Sequence, residues 1–434
     1  MTTNPDYARD TLGNIPPPAY KRIVVAGGGF AGIELVKKLK NSRYQIVLID
    51  RNNYHTFQPL LYQVATAGLE PDSVAGPLRK ITAGKNTFVR MANVAGIDRE
   101  NMVIDTDLGK LAYDYLVIAT GSRPNFFGKK EVAETAFPLK EVSDAYEFRA
   151  HLFEVFEKAV DITDTEELKA MLNVVIVGAG PTGVEMAGAL IELKKNILPK
   201  DYPTMDFSKM QVHLVEGLDE VLTSMSDFAS KKSLAYLKKM GVKVTLGSLV
   251  DRVEGDTVYL DNGETVRTKT LMWAAGVKGN VPGGVPEDKV NKSRILVDGY
   301  NRIDGSRRIF AIGDIAMMKS EKNPKGHPML APVAIQQGRH LAKNMLRVAS
   351  NKSLKAFKYT NKGYMATIGR NKAVVDTPVG FSFGGFIAWL GWMFVHLASI
   401  IGFRRKIVVL GNWAWSYFTF NKGARSIYNT AKES

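Results

Sequence analysis

The sequence predicts an α/β fold in which one strand–turn–helix unit occurs twice. An apolar β-branched run, a glycine-rich turn and a helical pattern follow one another in KRIVVAGGGFAGIELVKKLK (21–40) and again in NVVIVGAGPTGVEMAGALIEL (173–193). In both segments a glutamate stands two residues after the third glycine of the turn. A chain of 434 residues has room for two or three domains. Each copy is therefore expected to belong to its own α/β domain.

The glycine spacing in both copies is G-x-G-x-x-G. The glycines are Gly27, Gly29 and Gly32 in the first copy and Gly178, Gly180 and Gly183 in the second. In this motif the first glycine permits a tight turn, the second lets the backbone approach a pyrophosphate, and the third permits close helix–strand packing. The phosphate lies at the N-terminus of the helix. The motifs therefore predict two Rossmann-like dinucleotide-binding domains.

An acidic residue ends the next strand in each copy. YQIVLID ends in Asp50, 18 residues beyond the third glycine, and MQVHLVE ends in Glu216, 33 residues beyond it. The insertion NILPKDYPTMDFSK accounts for the longer spacing. An acid at this position binds ribose hydroxyls. Because Asp219 and Glu220 follow closely and no arginine is available for a 2′-phosphate, the second site is predicted to prefer NADH over NADPH.

The two copies also close in the same way. YDYLVIATGSRP (113–124) and KTLMWAAGVKG (269–279) are apolar strands that end in small residues and glycine, where backbone can pass close to a dinucleotide. SRRIFAIGDIA then gives a final strand with Asp314 at its carboxyl end.

The sequence contains no cysteine. This excludes disulfides, cysteine-ligated iron–sulfur or zinc sites and a redox-active thiol pair, so two-electron chemistry requires an organic cofactor. No metal site is predicted. The N-terminal segment MTTNPDYARDTLGNIPPPAY has no apolar region typical of a secretory signal.

These features together resemble the two-dinucleotide flavoproteins similar to glutathione reductase, and more closely the type II NADH:quinone oxidoreductases. The closer resemblance is carried by NNYHTFQPLLYQVATAGLEPDSVAGPLRKI (52–81), GAGPTGVE, AIGD, APVAIQQG and the aromatic tail, and it runs from about residue 20 to 428. Disulfide reductases and sulfide:quinone oxidoreductases of this fold need cysteines. A quinone reductase needs none.

The resemblance implies non-covalent FAD at the first motif and NADH at the second. It implies an FAD-binding domain from 21–140 and 286–350, an inserted NADH-binding domain at 141–285, and a membrane-attachment and dimerisation region at 351–434. The expected FAD contacts are Gly27, Gly29, Phe30, Ala31, Gly32, Asp50, Arg51, His55, Leu60, Val94, Ala119, Thr120, Gly121, Asp314, Val333 and Ala334. The expected NADH contacts are Gly178, Gly180, Pro181, Thr182, Gly183, Glu185, Glu216, Ala275 and Gly276.

The implied reaction passes a hydride from NADH to FAD, then two electrons and two protons to a membrane quinone, without proton pumping. Two other hypotheses stay open on the sequence alone. One is a soluble-type FAD reductase of a small redox protein, against which the hydrophobic tail argues. The other is a membrane-bound nucleotide sensor without turnover.

Two ionisable residues are candidates for the chemistry. Glu185 lies in the first turn of the second motif's helix, where an acid stabilises a helix by about 0.3–1 kcal/mol, and Glu34 holds the equivalent place in the first copy. In the family, however, this second-copy glutamate has been proposed to take part in coupling or proton transfer. His55 is a possible proton donor near flavin or quinone. A packed core histidine is the alternative.

Two glutamines are candidate quinone-carbonyl donors. They lie in LAPVAIQQGRH (330–340), which follows the Asp314 strand and is expected to direct a helix start at the flavin. Many family members carry A-Q-x-A-x-Q here, but the first glutamine position is Pro332, which cannot donate a hydrogen bond. Gln336 is therefore expected to carry the contact, with Gln337 as a less certain substitute. The alternative is that both amides cap and pack the helix.

The tail is both basic and apolar. Residues 351–434 hold 12 Lys or Arg against two acids, out of a net charge of +15. The 23 uncharged residues at 381–403 would reach roughly 30 Å as one helix, and three basic residues and the apolar 407–420 follow. Residue types common at membrane interfaces are Trp389, Trp392, Trp413, Trp415 and Tyr417.

Three hypotheses follow for the tail: a buried core hairpin, a single transmembrane helix, or a hairpin that dips into one leaflet with its basic residues on anionic headgroups. The third is preferred. The resemblance adds a homodimer and peripheral attachment to the cytoplasmic face of a bacterial inner membrane. We expect no nucleic-acid partner, since no nucleic-acid motif is present.

Overall fold

The computed structural model describes residues 5–303, 305–321, 323–421 and 423–427. Its strands, in chain order, are β1 (Arg22–Ala26), β2 (Gln45–Asp50), β3 (Tyr54–Thr56), β4 (Ala75–Pro77), β5 (Thr87–Met91), β6 (Val94–Asp98), β7 (Val103–Thr106), β8 (Gly109–Ala112), β9 (Tyr115–Ile118), β10 (Ser122–Pro124), β11 (Phe137–Pro138), β12 (Val174–Val177), β13 (Val212–Val215), β14 (Lys243–Thr245), β15 (Val250–Glu254), β16 (Thr257–Leu260), β17 (Thr265–Arg267), β18 (Thr270–Trp273), β19 (Val277–Gly279), β20 (Val290–Asn291), β21 (Arg294–Val297), β22 (Ile309–Ala311), β23 (Ala316–Met318), β24 (Tyr364–Gly369), β25 (Lys372–Asp376) and β26 (Ser382–Gly384).

The α-helices are α1 (Phe30–Leu39), α2 (Leu61–Ala65), α3 (Pro71–Val74), α4 (Leu78–Ile81), α5 (Lys130–Thr135), α6 (Val142–Ala159), α7 (Thr165–Leu172), α8 (Pro181–Asn196), α9 (Leu198–Asp201), α10 (Asp227–Met240), α11 (Ala331–Ala349), α12 (Phe386–Ser399) and α13 (Phe403–Thr419). Short 3-10 turns include Gln58–Leu60 and Gly313–Ile315.

The chain forms two compact units. The first unit takes its residues from Met1–Thr56, Gly76–Arg123 and Val277–Asn361, and the second unit from Phe57–Ala75, Pro124–Gly276 and Lys362–Ser434. The expected division was 21–140 with 286–350, 141–285, and 351–434. Here the part of the tail from 362 onwards shares a unit with the inserted segment, the residues 57–75 join that unit as well, and 351–361 belong to the first unit. Of the expected tail region, 422 and 428–434 lie outside the described residues.

The first unit is built on a five-stranded sheet in the order β22-β9-β1-β2-β5. All four neighbouring pairs are parallel. The three-stranded antiparallel sheet β6-β7-β8 is formed by the chain between β5 and β9. The β-branched side chains of the central strands are buried on both faces of the sheet, as is typical of a parallel sheet that other elements cover on both sides.

The second unit repeats this plan. Its main sheet has the order β11-β18-β12-β13-β14, and its four neighbouring pairs are also parallel. The antiparallel sheet β15-β16-β17 is again formed by the chain between two strands of the main sheet, β14 and β18. The duplication that two short segments indicated therefore extends over both domains, and the predicted pair of Rossmann-like domains is confirmed.

The tail folds as a small sheet followed by two helices. The sheet β24-β25-β26 is antiparallel, and α12 and α13 are separated by a break at 400–402. The segment 381–403 is therefore not one helix, as the hypothesis of a single spanning helix requires. Among the helices in the described ranges, none combines the length and the apolarity needed to cross a membrane.

The hypothesis of a buried core hairpin also disagrees with the structure. Among the large apolar side chains of α12 and α13, Phe394, Phe403 and Phe418 are 72%, 79% and 80% exposed. The buried residues of the two helices are Ala388, Trp392 and Val409. The helices thus bury a narrow face and leave a broad apolar face uncovered.

Candidate functional site

The first glycine-rich turn, between β1 and α1, forms what we call the first cradle. Gly27 has φ +114°, and a Cβ there would lie 2.2 Å from the carbonyl oxygen of Ala119 at the end of β9. A Cβ on Gly32 would lie 1.9 Å from the carbonyl oxygen of Gly27. No other residue fits either position without moving backbone, so the turn and its two neighbours are held in close contact.

The second cradle, between β12 and α8, has the same construction. Gly178 has φ +101°, and a Cβ there would lie 2.6 Å from the backbone of Ala274 and Ala275. A Cβ on Gly183 would lie 1.8 Å from the carbonyl oxygen of Gly178. The structure thus brings together the expected Gly178, Gly183 and Ala275.

The middle glycines behave differently. A Cβ on Gly29 or Gly180 would meet no described atom within 4 Å. Both residues are N-caps, of α1 and α8, and in both helices the first N–H groups have no side-chain cap. An open approach to a helix N-terminus that no side chain caps is what a pyrophosphate requires. The residues present therefore fit a dinucleotide in each cradle.

The two strand-end acids are oriented in the same way. Asp50 accepts hydrogen bonds from the N–H of Gly28 at 2.6 Å and of Asn52 at 2.7 Å. Glu216 accepts from the N–H of Ala179 at 2.6 Å and of Leu218 at 3.0 Å. Each carboxylate is fixed beside its cradle by two backbone donors, where an acid can bind ribose hydroxyls.

Other expected FAD contacts gather around the first cradle. Thr120 donates to the carbonyl of Asn280 at 2.7 Å, and Ser122 donates to the Asp314 carboxylate at 2.6 Å. Gly313 precedes Asp314 with φ +79°, and a Cβ there would lie 3.1 Å from the Cβ of Ala31 and 3.5 Å from that of Ala334. Helices α1 and α11 therefore meet the Asp314 turn.

The remaining expected contacts are more scattered. Val333 is buried in the first turn of α11, exposed Arg51 follows β2, and Val94 lies on β6 against the core of the first unit. Leu60 is fully buried but belongs to the second unit. Their contacts with FAD remain a prediction.

His55 is packed behind the first cradle. Its Nδ1 lies 3.1 Å from the carbonyl oxygen of Gly28, and its ring meets the Phe30 ring edge-on at 4.9 Å between centroids. Burial lowers the pKa of His55 to about 4. A neutral imidazole that donates to Gly28 is a poor proton donor at pH 7, so the geometry favours the packed alternative.

The equivalent glutamates of the two copies have opposite environments. The Glu34 carboxylate accepts hydrogen bonds from Lys37 at 2.6 Å and from Arg339 at 2.5 Å. Burial raises the pKa of Glu34, but these hydrogen bonds and charges outweigh it and the pKa is lowered overall. Glu34 is therefore an ionised structural link between α1 and α11.

Glu185 is 8% exposed and has no cation beside it among the described residues. Its Oε1 accepts a 3.4 Å hydrogen bond from the N–H of Thr367. Burial raises the pKa of Glu185 to about 8, and the Thr367 N–H and the neighbouring Trp392 indole offset only part of that effect. The carboxyl is therefore mostly protonated at neutral pH.

The Glu185 carboxyl faces a cleft inside the second unit, which we call the tail cleft. The cleft is open to solvent, and the empty space in and around it amounts to about 690 Å³. Its lining residues come from α2, α8, β24 with the turn after it, α12 and α13, and are Tyr62, Gln63, Thr66, Gly68, Glu185, Ala189, Glu192, Thr367, Gly369, Arg370, Trp389, Trp392, Met393, Trp413, Ser416 and Tyr417. The structure thus places Glu185 with the tail, whereas the sequence also expected it among the NADH contacts.

Hydrogen bonds fix the walls of the tail cleft. Trp413 donates to Gln63 at 2.7 Å, and Gln63 donates to the Tyr62 hydroxyl at 2.9 Å. Arg370 donates to the carbonyls of Tyr417 at 3.0 Å and Ser416 at 2.8 Å, at the C-terminal end of α13. The Trp392 indole nitrogen is buried and makes no direct hydrogen bond to the described residues, although it lies close enough to the Glu185 carboxyl to lower the pKa of that group.

Several of these residues were not predicted from the sequence. Tyr62 and Gln63 lie within the segment 52–81 that carries the resemblance, but neither residue was assigned a role. Glu192 and Arg370 carried no signal at all. The tail aromatics were expected at a membrane interface, but Trp392 is 2% exposed and Trp415 is 62% exposed. Only the three-dimensional structure distinguishes the buried tail aromatics from the exposed ones.

Of the two glutamines of α11, the sequence favoured Gln336 as the quinone contact, but it is Gln337 that lies beside the Asp314 turn. Gln337 is fully buried, its Oε1 accepts from the N–H of Gly313 at 2.7 Å, and its Nε2 has no partner within the described ranges. Gln336 clamps the backbone of Thr360, donating at 2.9 Å and accepting at 3.0 Å. Gln337 is thus next to the Asp314 turn, while the Gln336 amide bonds the backbone of Thr360 through both its nitrogen and its oxygen.

Comparisons with known proteins give a consistent result. Residues 21–338 match the family model of pyridine nucleotide-disulphide oxidoreductases, and residues 361–420 match that of the NDH2 C-terminal domain. The type II NADH:quinone oxidoreductase Ndh of Mycobacterium tuberculosis is 35% identical over 432 residues, covering 95% of this chain and 91% of that protein. NdhA of the same organism is 34% identical over 425 residues, covering 94% and 89%.

Among solved structures, NDH2 from Plasmodium falciparum in complex with NADH superposes with a TM-score of 0.86. The superposition covers 94% of this chain and 100% of that one at 19% sequence identity. At that identity the likeness supports the fold.

Proposed function

This chain belongs to the type II NADH:quinone oxidoreductase family, and from that membership we propose how its own residues carry the reaction. The protein is an FAD-dependent enzyme that oxidises NADH and reduces a quinone without proton pumping. FAD, when bound, accepts a hydride from NADH and delivers two electrons to the quinone. The roles of the side chains are the proposal.

FAD is assigned to the first cradle and NADH to the second. Asp50 and Glu216 each bind the adenosine ribose of their own dinucleotide, and the open edges at Gly29 and Gly180 admit the pyrophosphates. Asp314, oriented by Ser122, binds the ribityl chain. Glu216 with Asp219 and Glu220 repels a 2′-phosphate, which favours NADH over NADPH.

The tail cleft is assigned to the quinone. The observation that carries this assignment is a mostly protonated carboxyl, Glu185, in a cleft walled by aromatic side chains. A quinone has a flat apolar ring and two carbonyl oxygens, each of which takes up a proton on reduction. Glu185 holds a proton where one carbonyl would lie and regains it from solvent through the open mouth, as a general acid does.

The exposed apolar side chains of α12 and α13 are proposed to lie in one leaflet of a bilayer. A contiguous apolar surface of this kind is unusual on a soluble monomer and is typical of an interaction site. Exposed Arg404 at the start of α13 is placed to meet anionic headgroups. Because the same two helices line the tail cleft, a quinone dissolved in that leaflet has a short path to Glu185.

The location and assembly follow from family membership. We expect peripheral attachment to the cytoplasmic face of a bacterial inner membrane and a homodimer formed through the C-terminal region.

The function is tested with purified, FAD-loaded enzyme in liposomes that contain ubiquinone or menaquinone. Stopped-flow spectroscopy should show rapid flavin reduction by NADH, slow reduction by NADPH, and rapid reoxidation by the quinone. Slow flavin reduction by NADH would support a nucleotide sensor instead. Reoxidation by a small redox protein but not by a short-chain quinone would support the soluble-type reductase.

A further inference from the structure

One exposed aromatic residue beside the second cradle, Phe127, takes no part in the proposed function. Phe127 is 61% exposed and has φ +52°, a conformation that bulky L-residues adopt only at a free-energy cost. The next residue, Gly128, also has positive φ, at +83°. Since most of the ring is exposed, its contact with the core is limited and does not by itself account for this strain.

The backbone around Phe127 is fixed to the end of β18. The N–H of Asn125 donates to the carbonyl of Gly276 at 3.1 Å, and the Trp273 indole donates to the carbonyl of Asn125 at 2.8 Å. The N–H of Phe127 donates to the Asn125 side chain at 3.1 Å. Phe126, the preceding residue, packs its ring on Trp273 at 5.7 Å between centroids. The Phe127 ring lies 6.4 Å from the same Trp273 ring between centroids, but it remains 61% exposed, whereas Phe126 is half-buried.

The Phe127 ring lies across Gly276. A Cβ on Gly276 would lie 3.4 Å from Cζ of Phe127, and Gly276 itself has φ +143°. Gly276 follows Ala274 and Ala275, whose backbone forms one side of the second cradle at Gly178. The ring therefore stands at the edge of the cradle.

The topology indicates which half of the dinucleotide this edge would meet. In the sheet β11-β18-β12-β13-β14 the cradle follows β12, and Glu216 follows β13 on one side of it. A strand-end acid in that place marks the adenosine half of a dinucleotide. Phe127 is fixed to β18, on the other side of β12, which is the nicotinamide half.

We propose that Phe127 is a positioning residue that packs on the nicotinamide ring of NADH and limits its movement in the second cradle. The proposal rests on the assignment of NADH to this cradle. A flat exposed ring beside a glycine offers an apolar surface to a planar heterocycle, and aromatic pairs attract each other beyond their buried area. The strained backbone is explained by this placement of the ring.

The test is calorimetric titration of the FAD-loaded full-length protein with NAD⁺ and with ADP-ribose, which lacks the nicotinamide ring. In Phe127→Ala the Kd for NAD⁺ should rise at least fivefold, while the Kd for ADP-ribose stays within twofold of wild type. Phe127→Tyr should restore NAD⁺ binding. Leu108→Ala, which removes a side chain of the same 61% exposure in the first unit, should change neither Kd.

Phe127→Gly separates positioning from stability. Glycine accepts the positive φ, so its Tm should equal or exceed that of wild type while NAD⁺ binding weakens as in Phe127→Ala. Equal weakening of both ligands in the Phe127 variants, or no weakening of either, would overturn the inference. A wild-type protein that binds neither ligand would instead overturn the assignment of NADH to the second cradle, and the inference with it.

Discussion

At the scale of single residues, the two copies of the glycine-rich motif show how environment divides one residue type into two roles. Glu34 and Glu185 occupy the same place in sequence, but Glu34 lies between two cations and Glu185 lies in an aromatic cleft. Their pKa values accordingly shift in opposite directions. A buried carboxyl that stays protonated near neutral pH can act as a general acid.

The pKa of Glu185 predicts a pH dependence. Flavin reoxidation by quinone should fall as pH rises through about 8, because the carboxyl then loses its proton. In Glu185→Gln we expect reoxidation slowed about 100-fold or more and no titration near pH 8, with flavin reduction by NADH near normal. Stopped-flow measurement of both half-reactions from pH 6 to 10 checks this.

The same shift predicts a change in stability. A pKa raised in the folded state makes the folded protein bind the proton more tightly, so the Glu185 contribution is full below about pH 4.5 and is lost as pH rises towards 8. Glu185→Gln should therefore gain stability relative to wild type at high pH. Glu34→Gln is the matched control, and a pH profile altered equally by both variants would contradict the assignment.

The glutamines of α11 provide a second prediction at this scale. Gln337→Ala leaves the buried N–H of Gly313 unpaired, which costs about 1–3 kcal/mol. We expect a lower Tm and weaker FAD retention, since Gly313 precedes Asp314. Gln336→Ala breaks a half-exposed clamp on Thr360 and should cost less.

Half-reaction kinetics of the same two variants test the sequence prediction for quinone binding. That prediction expects Gln336→Ala to slow reoxidation by quinone while flavin reduction by NADH stays near normal. Equal loss of both steps would make Gln336 structural. Normal FAD retention in Gln337→Ala would contradict the role given to Gln337.

At the scale of elements, α12 and α13 each present two different faces. The inner face lines the tail cleft with Trp392, Trp413 and Tyr417, and the outer face exposes side chains such as Phe394 and Phe418. Arg370 bonds the last carbonyls of α13 and so holds the inner face in place. The proposal therefore assigns membrane attachment and quinone binding to different residues of the same helices.

This division predicts that attachment can be removed without loss of the cleft. The triple change Phe394→Ser, Phe403→Ser and Phe418→Ser should weaken binding to anionic liposomes more than 100-fold, since burying each ring contributes roughly 1.5–3 kcal/mol. Turnover with a soluble short-chain quinone should stay near wild type, because none of the three lines the cleft. Liposome flotation and a steady-state assay measure the two effects.

The control for the tail variant changes exposed apolar residues elsewhere. Leu108→Ser, Val160→Ser and Leu346→Ser together should leave flotation unchanged. If the tail variant still floats with liposomes as wild type does, the proposed membrane face is wrong.

At the scale of the whole molecule, the chain consists of two copies of one sheet topology with different duties. In each copy an acidic side chain accepts a hydrogen bond from an N–H group of its own cradle: Asp50 in the first unit and Glu216 in the second. Only the second unit adds the tail. The two units share one sheet topology, whereas the proposed ligands differ between them.

The division is tested by a matched pair of isosteric changes. Asp50→Asn should lower the FAD content of the purified protein, whereas Glu216→Gln should retain FAD and raise the KM for NADH about tenfold or more, since a hydrogen bond to a charged group contributes about 1.5–3 kcal/mol. Glu216→Gln should also narrow the preference for NADH over NADPH. If Asp50→Asn instead raised the KM for NADH and Glu216→Gln lowered the FAD content, the assignment of the two ligands to the two cradles would be reversed.

The sequence by itself determined the fold class, the duplication, both cradles and their acids. These features are readable because their constraints are local: Gly27 and Gly178 need positive φ, Gly32 and Gly183 need close helix–strand contact, and each acid ends the next strand. The family resemblance could be recognised from the sequence because the segments that carry it are spread along nearly the whole chain.

Only the tertiary structure decided where the chemistry of the second unit lies. The tail cleft joins Tyr62, Glu185, Arg370, Trp392 and Trp413, which are far apart in sequence and carry no common spacing. Whether a glutamate is an ionised link or a protonated acid, and whether a tryptophan is buried or exposed, depends on which neighbours the fold brings beside it. Desolvation and pairing are properties of that packed environment, and no local pattern contains them.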